Sequence, residues 1–255
     1  MSALPAGFPV TLSIVMPAYN EEKTVAAVVK RITEEVACDF ELIIVNDGSS
    51  DQTPKIIEAL AASDPRIRTF HQKNGGKASA LKQGFAMTRG SVVIIQDADL
   101  EYDPAEIGHV IQPILDGKAD VVYGSRFLVR RASRVLYYYH YIANRLITMF
   151  SNLFTNLNMT DVETGYKAIR GQIIRAMVIT STGFGIEIEI TAKVAKLGAA
   201  VYEVPISYYG RTYEEGKKIG PWDGVMALWY ILVFNLFWNK QQSFRTGEEN
   251  TASSR

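Results

Sequence analysis

The chain has 255 residues, 47% of them hydrophobic, and balances 27 Lys+Arg against 27 Asp+Glu. That length supports one α/β domain with a sizeable core. The zero net charge gives no whole-chain attraction to nucleic acid, so no such partner is expected. A single cysteine, Cys38, excludes an intramolecular disulfide framework.

Residues 1–10 lack a basic stretch followed by a long apolar one, so no secretory signal is read and a cytoplasmic protein is expected. In chain order, Leu12–Met16, Leu42–Val45, Val92–Ile95 and Val121–Tyr123 are short apolar runs rich in β-branched residues. This is the pattern of parallel strands buried on both faces. Helical spacing recurs at Val25, Val28, Val29, Ile32 and Val36, at Ile56, Ile57 and Leu60, and at Ile107, Val110, Ile111 and Ile114. The alternation predicts an α/β fold: a doubly wound, mostly parallel sheet with helices on both faces.

Ligands of such sheets bind beyond the carboxyl ends of the strands. Here the residues after each run are polar: Pro17-Ala18-Tyr19-Asn20-Glu21, Asn46-Asp47-Gly48-Ser49-Ser50-Asp51, Gln96-Asp97-Ala98-Asp99 and Gly124-Ser125-Arg126. Four strand ends are therefore expected to share one cleft. The second half opens with a tyrosine-rich, apolar and basic stretch, Arg134–Leu157. A strand at Tyr166–Ile169, a helix over Glu187–Leu197 and a strand at Val201–Ile206 follow. The apolar run Val225–Trp238 spans about 14 residues, short of the roughly 20 that cross a bilayer. It is expected to lie along a surface as a C-terminal amphipathic helix.

Asp97-Ala98-Asp99 puts two carboxylates at a strand's exit, hard oxygen ligands suited to Mg²⁺ or Mn²⁺, with Glu101 as a third oxygen. Asp47 is an acceptor for a base N–H or a ribose hydroxyl beside a turn glycine. Asn74-Gly75-Gly76-Lys77 precedes an amphipathic helix whose free N–H groups, with the lysine, suit phosphate oxygens. It matches neither a Walker loop nor a G-x-G-x-x-G fingerprint.

Taken in order, these motifs resemble family 2 glycosyltransferases over about residues 10–240, and within them the branch of dolichyl-phosphate mannose and glucose synthases. The resemblance implies a GT-A glycosyltransferase domain over residues 1–218, an interfacial helix over 219–240, and a polar tail over 241–255 that is expected to be disordered. It implies that Pro17, Tyr19, Glu21 and Asp47 hold the nucleoside of a nucleotide-diphosphate sugar, GDP-mannose or UDP-glucose. Gly76, Lys77 and Lys217 join that donor site. Metal and diphosphate fall to Asp97 and Asp99, with Glu101 standing where relatives often have glutamine. Inversion at the anomeric carbon is implied as well.

By the same resemblance, Thr160–Lys167, Val204-Pro205-Ile206, Arg211 and Glu215-Gly216-Lys217 border the sugar and the acceptor phosphate. Arg126 and Arg211 suit a bidentate phosphate contact. His140 and Asn144, then Arg145, stand where polyprenyl-phosphate transferases place an arginine and a serine. The implied acceptor is polyprenyl phosphate or another membrane-held group. A hydroxyl acceptor, with Asp161 as base, stays open, as does a noncatalytic nucleotide-sugar-binding protein. Tyr137, Tyr138, Tyr139, Tyr141, Trp229 and Trp238, with Arg130, Arg131, Arg134 and Lys240, predict a peripheral protein on the inner face of the membrane. Packing on a second subunit, giving a homo-oligomer, is the alternative for these surfaces.

Overall fold

The four apolar runs are four of the seven strands in the computed structural model, which describes residues 10–128, 137–210 and 221–245. Arg211, Lys217 and the basic residues Arg130, Arg131 and Arg134 lie outside the described residues. The strands are β1 (Val10–Ala18), β2 (Phe40–Asp47), β3 (Ile67–Gln72), β4 (Gly90–Ile95), β5 (Val121–Ser125), β6 (Lys167–Arg170) and β7 (Val201–Pro205). They form one sheet in the order β3-β2-β1-β4-β6-β5-β7. Only β6 runs antiparallel to its neighbours.

Side chains alternate across a strand, so a run that is apolar throughout must be covered on both sides. Leu12, Ile14, Met16, Leu42, Ile44, Val92 and Ile94 meet α1 (Val25–Glu35), α2 (Thr53–Ser63) and α4 (Ile107–Leu115) on one face. Val15, Val93, Ile95, Val121 and Tyr123 meet α3 (Lys77–Met87), α6 (Gly171–Ala176) and α7 (Ile186–Leu197) on the other. Each fully buried aliphatic side chain contributes roughly 1.5–3 kcal/mol. The doubly wound sheet expected from the sequence is present.

The antiparallel β6 matters for the site. A strand that runs against its neighbours begins where they end, so the segment entering β6, residues 160–166, arrives at the carboxyl ends of β4 and β5.

Two further helices, α5 (Tyr138–Thr155) and α8 (Pro221–Leu232), pack on each other and on α7. Ile147, Val162, Ile188, Ala227 and Ile231 bury together there. The remaining faces leave Tyr138, Tyr139, Leu146, Met149 and Leu153 of α5 exposed, with Trp222, Val225 and Trp229 of α8. The C-terminal helix is thus half core and half open surface. No helix among the described residues is long and apolar enough to cross a membrane.

The boundary set at residue 241 falls inside a held segment. Asn239 closes a capping box on the short helix α9 (Lys240–Ser243), Val178 N donates to Ser243 O, and Arg245 N donates to Ala176 O. Phe244 packs on the second core cluster. The chain is anchored to residue 245, because one aromatic side chain and these backbone bonds hold it.

Candidate active site

A cleft of about 360 Å³ opens at the carboxyl ends of β1, β2, β4 and β5. Pro17, Tyr19 and Glu21 line it from β1, Asp47 from β2, Asp97, Asp99 and Glu101 from β4, and Arg126 from β5. Gly76 and Lys77 enter from the start of α3. These donor, metal and phosphate residues are therefore brought together, whereas Asp161, which sits behind Arg126, and His140, Asn144 and Arg145 of α5 are not among the lining residues.

The first two loops are tied to each other. Ser50 N donates to Asn20 Oδ1, Glu21 N to Thr53 Oγ1, Glu22 N to Asp51 Oδ2, and Gln52 N to Glu22 Oε2. The Asx and Thr side chains after β2 thus position the loop after β1. Asn20 holds a left-handed backbone, φ 55°, to make this turn. Asp47, nearly buried, accepts from Gln72 Nε2 at 2.7 Å, Gly75 N at 2.9 Å and Gly76 N at 2.8 Å. Its carboxylate therefore fixes the glycine turn that starts α3. Gly76, at φ 84°, supplies the backbone that this turn requires.

Lys77, in the first turn of α3, reaches Asp97 Oδ2 at 3.1 Å and Glu187 Oε1 at 3.2 Å. Burial works against its charge, but Asp97 and Glu187 outweigh burial and hold the ammonium well above its usual range. Asp99 Oδ1 accepts from Glu101 N at 3.1 Å, and Glu101 accepts from Tyr208 Oη at 2.9 Å. The residue between those two acids, Leu100, sits at φ 63°. A branched side chain there is strained, and strain of this kind concentrates at functional turns.

Arg126 makes a fork on Asp161: Nε to Oδ2 at 2.6 Å and Nη2 to Oδ1 at 2.7 Å. Its guanidinium also lies 5.1 Å from the Tyr208 ring centre. Asp161 is fully buried, and Glu203 accepts from its N–H and from that of Thr160. Glu163 and Gly165, from the Thr160–Lys167 segment expected to border the sugar, line the cleft, as do Tyr102, Glu187 and Tyr208, which sequence reading missed. Tyr102 stacks on Tyr166 at 5.1 Å and accepts from Gly165 N, and burial pushes its hydroxyl up to about 12. A methyl group on Gly165 would come within 2.9 Å of Asp97 Oδ2 and 3.2 Å of Lys77 Nζ. Gly165→Ala is therefore expected to move that pair and to lower turnover by roughly tenfold to a hundredfold. Steady-state rates beside a calorimetric melting curve check this, the melting temperature shifting by only a few degrees.

Among the described residues, seven acidic ones line the cleft, Glu21, Asp47, Asp97, Asp99, Glu101, Glu163 and Glu187, against the two basic ones Lys77 and Arg126. No three His, Cys, Asp or Glu side chains among the described residues close into a metal cage. The donor set instead suits a cation held by one or two carboxylates together with ligand oxygens, as Mg²⁺ and Mn²⁺ are. Lys77 already places a positive group on Asp97.

A family model described as Glycosyl transferase family 2 matches residues 13–177, from the middle of β1 to the end of α6. The chain is similar to the undecaprenyl-phosphate mannosyltransferase of Micrococcus luteus, at 29% identity over 217 residues, covering 81% of this chain and 86% of that one. It is 29% identical over 208 residues to glycosyltransferase AglD of Haloferax volcanii, covering 78% of this chain but only 33% of that protein. Its fold matches that of glucosyl-3-phosphoglycerate synthase from Mycobacterium tuberculosis, solved in complex with Mn²⁺, uridine-diphosphate and glucosyl-3-phosphoglycerate. The TM-score is 0.65 at 22% identity, with 89% of this chain and 80% of that one covered. The matched segment contains all four strand ends that build the cleft, and on that ground the chain belongs to glycosyl transferase family 2, with the GT-A fold.

Proposed function

We propose that this protein is an inverting, metal-dependent hexosyltransferase that moves a sugar from a nucleotide-diphosphate donor, GDP-mannose or UDP-glucose, to polyprenyl phosphate. The observation that carries the reading is the cleft itself. Asp97 and Asp99 stand at one strand's exit, Lys77 and the N–H groups of α3 stand beside them, and a forked arginine stands opposite. A diphosphate brought into so acidic a cleft needs a cation, and the name of the Micrococcus relative supplies the acceptor class. The Mn²⁺ complex of the structural neighbour supports the choice of ion.

Asp97 and Asp99, with Glu101 beside them, would hold Mg²⁺ or Mn²⁺, which supplies charge neutralisation for the leaving diphosphate. The chain's own groups do the rest. Pro17, Tyr19, Glu21 and Asp47 border the nucleoside. Lys77 and the amides of α3 face the phosphates. Arg126 has Nη1 left beyond its fork on Asp161, the edge suited to an acceptor phosphate. Arg211 and Lys217 are assigned to the same phosphates by resemblance.

A hydroxyl acceptor would need a base in reach of the reacting oxygen. Asp161 is fully buried with both oxygens on Arg126, so its geometry favours the orienting role over the basic one. A phosphate acceptor is already ionised near neutral pH and needs no such base. Purified protein with Mn²⁺, bacterial lipid extract and a panel of radiolabelled nucleotide sugars tests the reading. Label is expected in the lipid phase. Donor binding with no transfer or hydrolysis would favour a noncatalytic sensor.

Residues 1–218 would be the catalytic domain, with the helix of 219–240 lying on the cytoplasmic face of the membrane beside α5. The exposed Tyr138, Tyr139, Leu146, Met149, Leu153, Trp222 and Trp229 support that attachment. Sedimentation with anionic vesicles is expected at low salt and to weaken as salt rises. Protein that stays in the supernatant, at a mass of two or more subunits, would assign the surface to self-association instead.

A further inference from the structure

The contacts that hold Arg126 lead to one side chain outside the cleft. On edge strand β7, Glu203 stands in register with Tyr123 of β5, just before Ser125, and it does not line the cleft. Its carboxylate accepts from two successive amides, Thr160 N at 2.9 Å and Asp161 N at 3.2 Å, and from Thr160 Oγ1 at 3.0 Å. Thr160 has one hydroxyl proton, and Glu203 takes it. The 2.6 Å contact between Thr160 Oγ1 and Ser125 Oγ is therefore donated by Ser125. Ser125 Oγ in turn accepts from Phe127 N at 3.1 Å. Both chain neighbours of Arg126 are thus tied to Thr160, while Asp161 accepts the fork of its guanidinium and its backbone N–H.

The other anchors of this segment come from α5. Asn152 holds both main-chain groups of Met159, Thr148 Oγ1 accepts from Val162 N, and Arg145 Nη1 donates to Thr160 O at 3.3 Å. Between those ends, the amides that set where the Asp161 carboxylate stands are bonded to Glu203. Hydrogen bonds to an ionised acceptor are shorter and stronger than neutral ones, so a carboxylate fixes such a turn more firmly than an amide or a hydroxyl would. Burial raises the Glu203 carboxyl above its ordinary range, and the bonds from Thr160 and Asp161 oppose that rise.

We infer that Glu203 is a positioning residue for acceptor binding: by fixing Thr160 and Asp161 it aims the Arg126 guanidinium, and through it the acceptor phosphate, without touching either substrate. The inference rests on the acceptor reading of Arg126 above and adds to it the side chain that sets that arginine's direction. A displacement of about 1 Å at a positioning contact is enough to lower a rate by roughly a hundredfold. The reach of Glu203 is therefore the quantity to vary.

Glu203→Asp keeps the charge and draws the carboxylate back by one methylene, whereas Glu203→Gln keeps the reach and removes the charge. Initial rates with Mn²⁺, a saturating donor and varied undecaprenyl phosphate give the acceptor KM, and calorimetric titration with the matching nucleoside diphosphate gives donor-site affinity. Glu203→Asp is expected to raise the acceptor KM by about tenfold or more. Its nucleotide affinity should be unchanged, which also shows that the variant is folded. Glu203→Gln is expected to stay within about threefold of the unmodified protein. In a background of Arg126→Ala with Asp161→Asn, Glu203→Asp is expected to change the acceptor KM by less than about twofold, because the arginine through which it acts is gone. An unchanged acceptor KM in Glu203→Asp, an equal rise in Glu203→Gln, or a full further rise in that background would overturn the positioning role. If the background alone left the acceptor KM unchanged, or the unmodified protein moved no sugar to undecaprenyl phosphate, the acceptor reading itself would fall and the inference with it.

Discussion

Asp99→Ala is expected to reduce sugar transfer by on the order of a thousandfold or more while leaving the fold intact. The residue lines the cleft and belongs to neither large core cluster, so truncation opens no cavity in the sheet. What it removes is one of two carboxylates that would hold the divalent ion, and with it roughly several kcal/mol of stabilisation of the leaving diphosphate. In the turn that presents it, Leu100 takes a left-handed backbone and Asp99 Oδ1 accepts from Glu101 N. Initial rates across a Mn²⁺ titration, beside a thermal melt, are the measurement. A variant with undiminished rates would remove Asp99 from the metal site.

Arg126→Ala should act on stability and function together. Asp161 has no exposure, and the guanidinium supplies two of the bonds that hold its charge, the Arg126 N–H supplying a third at 3.1 Å. Removing one member of a buried pair costs about 3–5 kcal/mol, because the charge left behind is neither solvated nor paired. Urea denaturation is expected to show that loss, and Arg126→Ala combined with Asp161→Asn is expected to recover most of it. In the recovered double variant the acceptor KM should stay raised while donor affinity is nearly normal, since the phosphate-facing edge of Arg126 is still absent. Collapse of donor affinity with unchanged acceptor kinetics would place Arg126 on the wrong substrate.

The sheet and the cleft were legible because both depend on local pattern. An apolar run flanked by helical periodicity marks a strand of a doubly wound sheet, and polar residues after that run mark its carboxyl end. Edge strand β3 was not legible. Of Ile67–Gln72 only Ile67 is buried, so neither alternation nor a continuous apolar run announces it, and Gln72, a partner of Asp47, went with it. The polarity of β6 was hidden too, although its position was not, because strand direction is decided by the connection and not by composition.

Glu187 shows a different limit. Residues Ile186 to Val194 of α7 are all buried, so the helix has no polar face from which an acid would stand out. Glu163 fell within a segment expected to border the sugar, but the burial of its Oε1 is visible only in the packing around it. Pairings distant in sequence, such as Arg126 with Asp161 and Lys77 with Glu187, changed roles that local motifs had suggested. Asp161 was read as a candidate base. Its burial beneath a guanidinium makes it the anchor of one.

The proposed activity is metal-assisted transfer of a hexose to a lipid phosphate. Its most direct test is the rate at which purified protein forms lipid-linked hexose from GDP-mannose or UDP-glucose and undecaprenyl phosphate, with Mn²⁺ and then with excess EDTA. One of the two donors is expected to yield a lipid-linked product with inverted anomeric configuration, formed with Mn²⁺ and lost in EDTA. Formation of that product at the same rate in EDTA, or no product from either donor while a sugar hydroxyl acceptor is glycosylated, would contradict it.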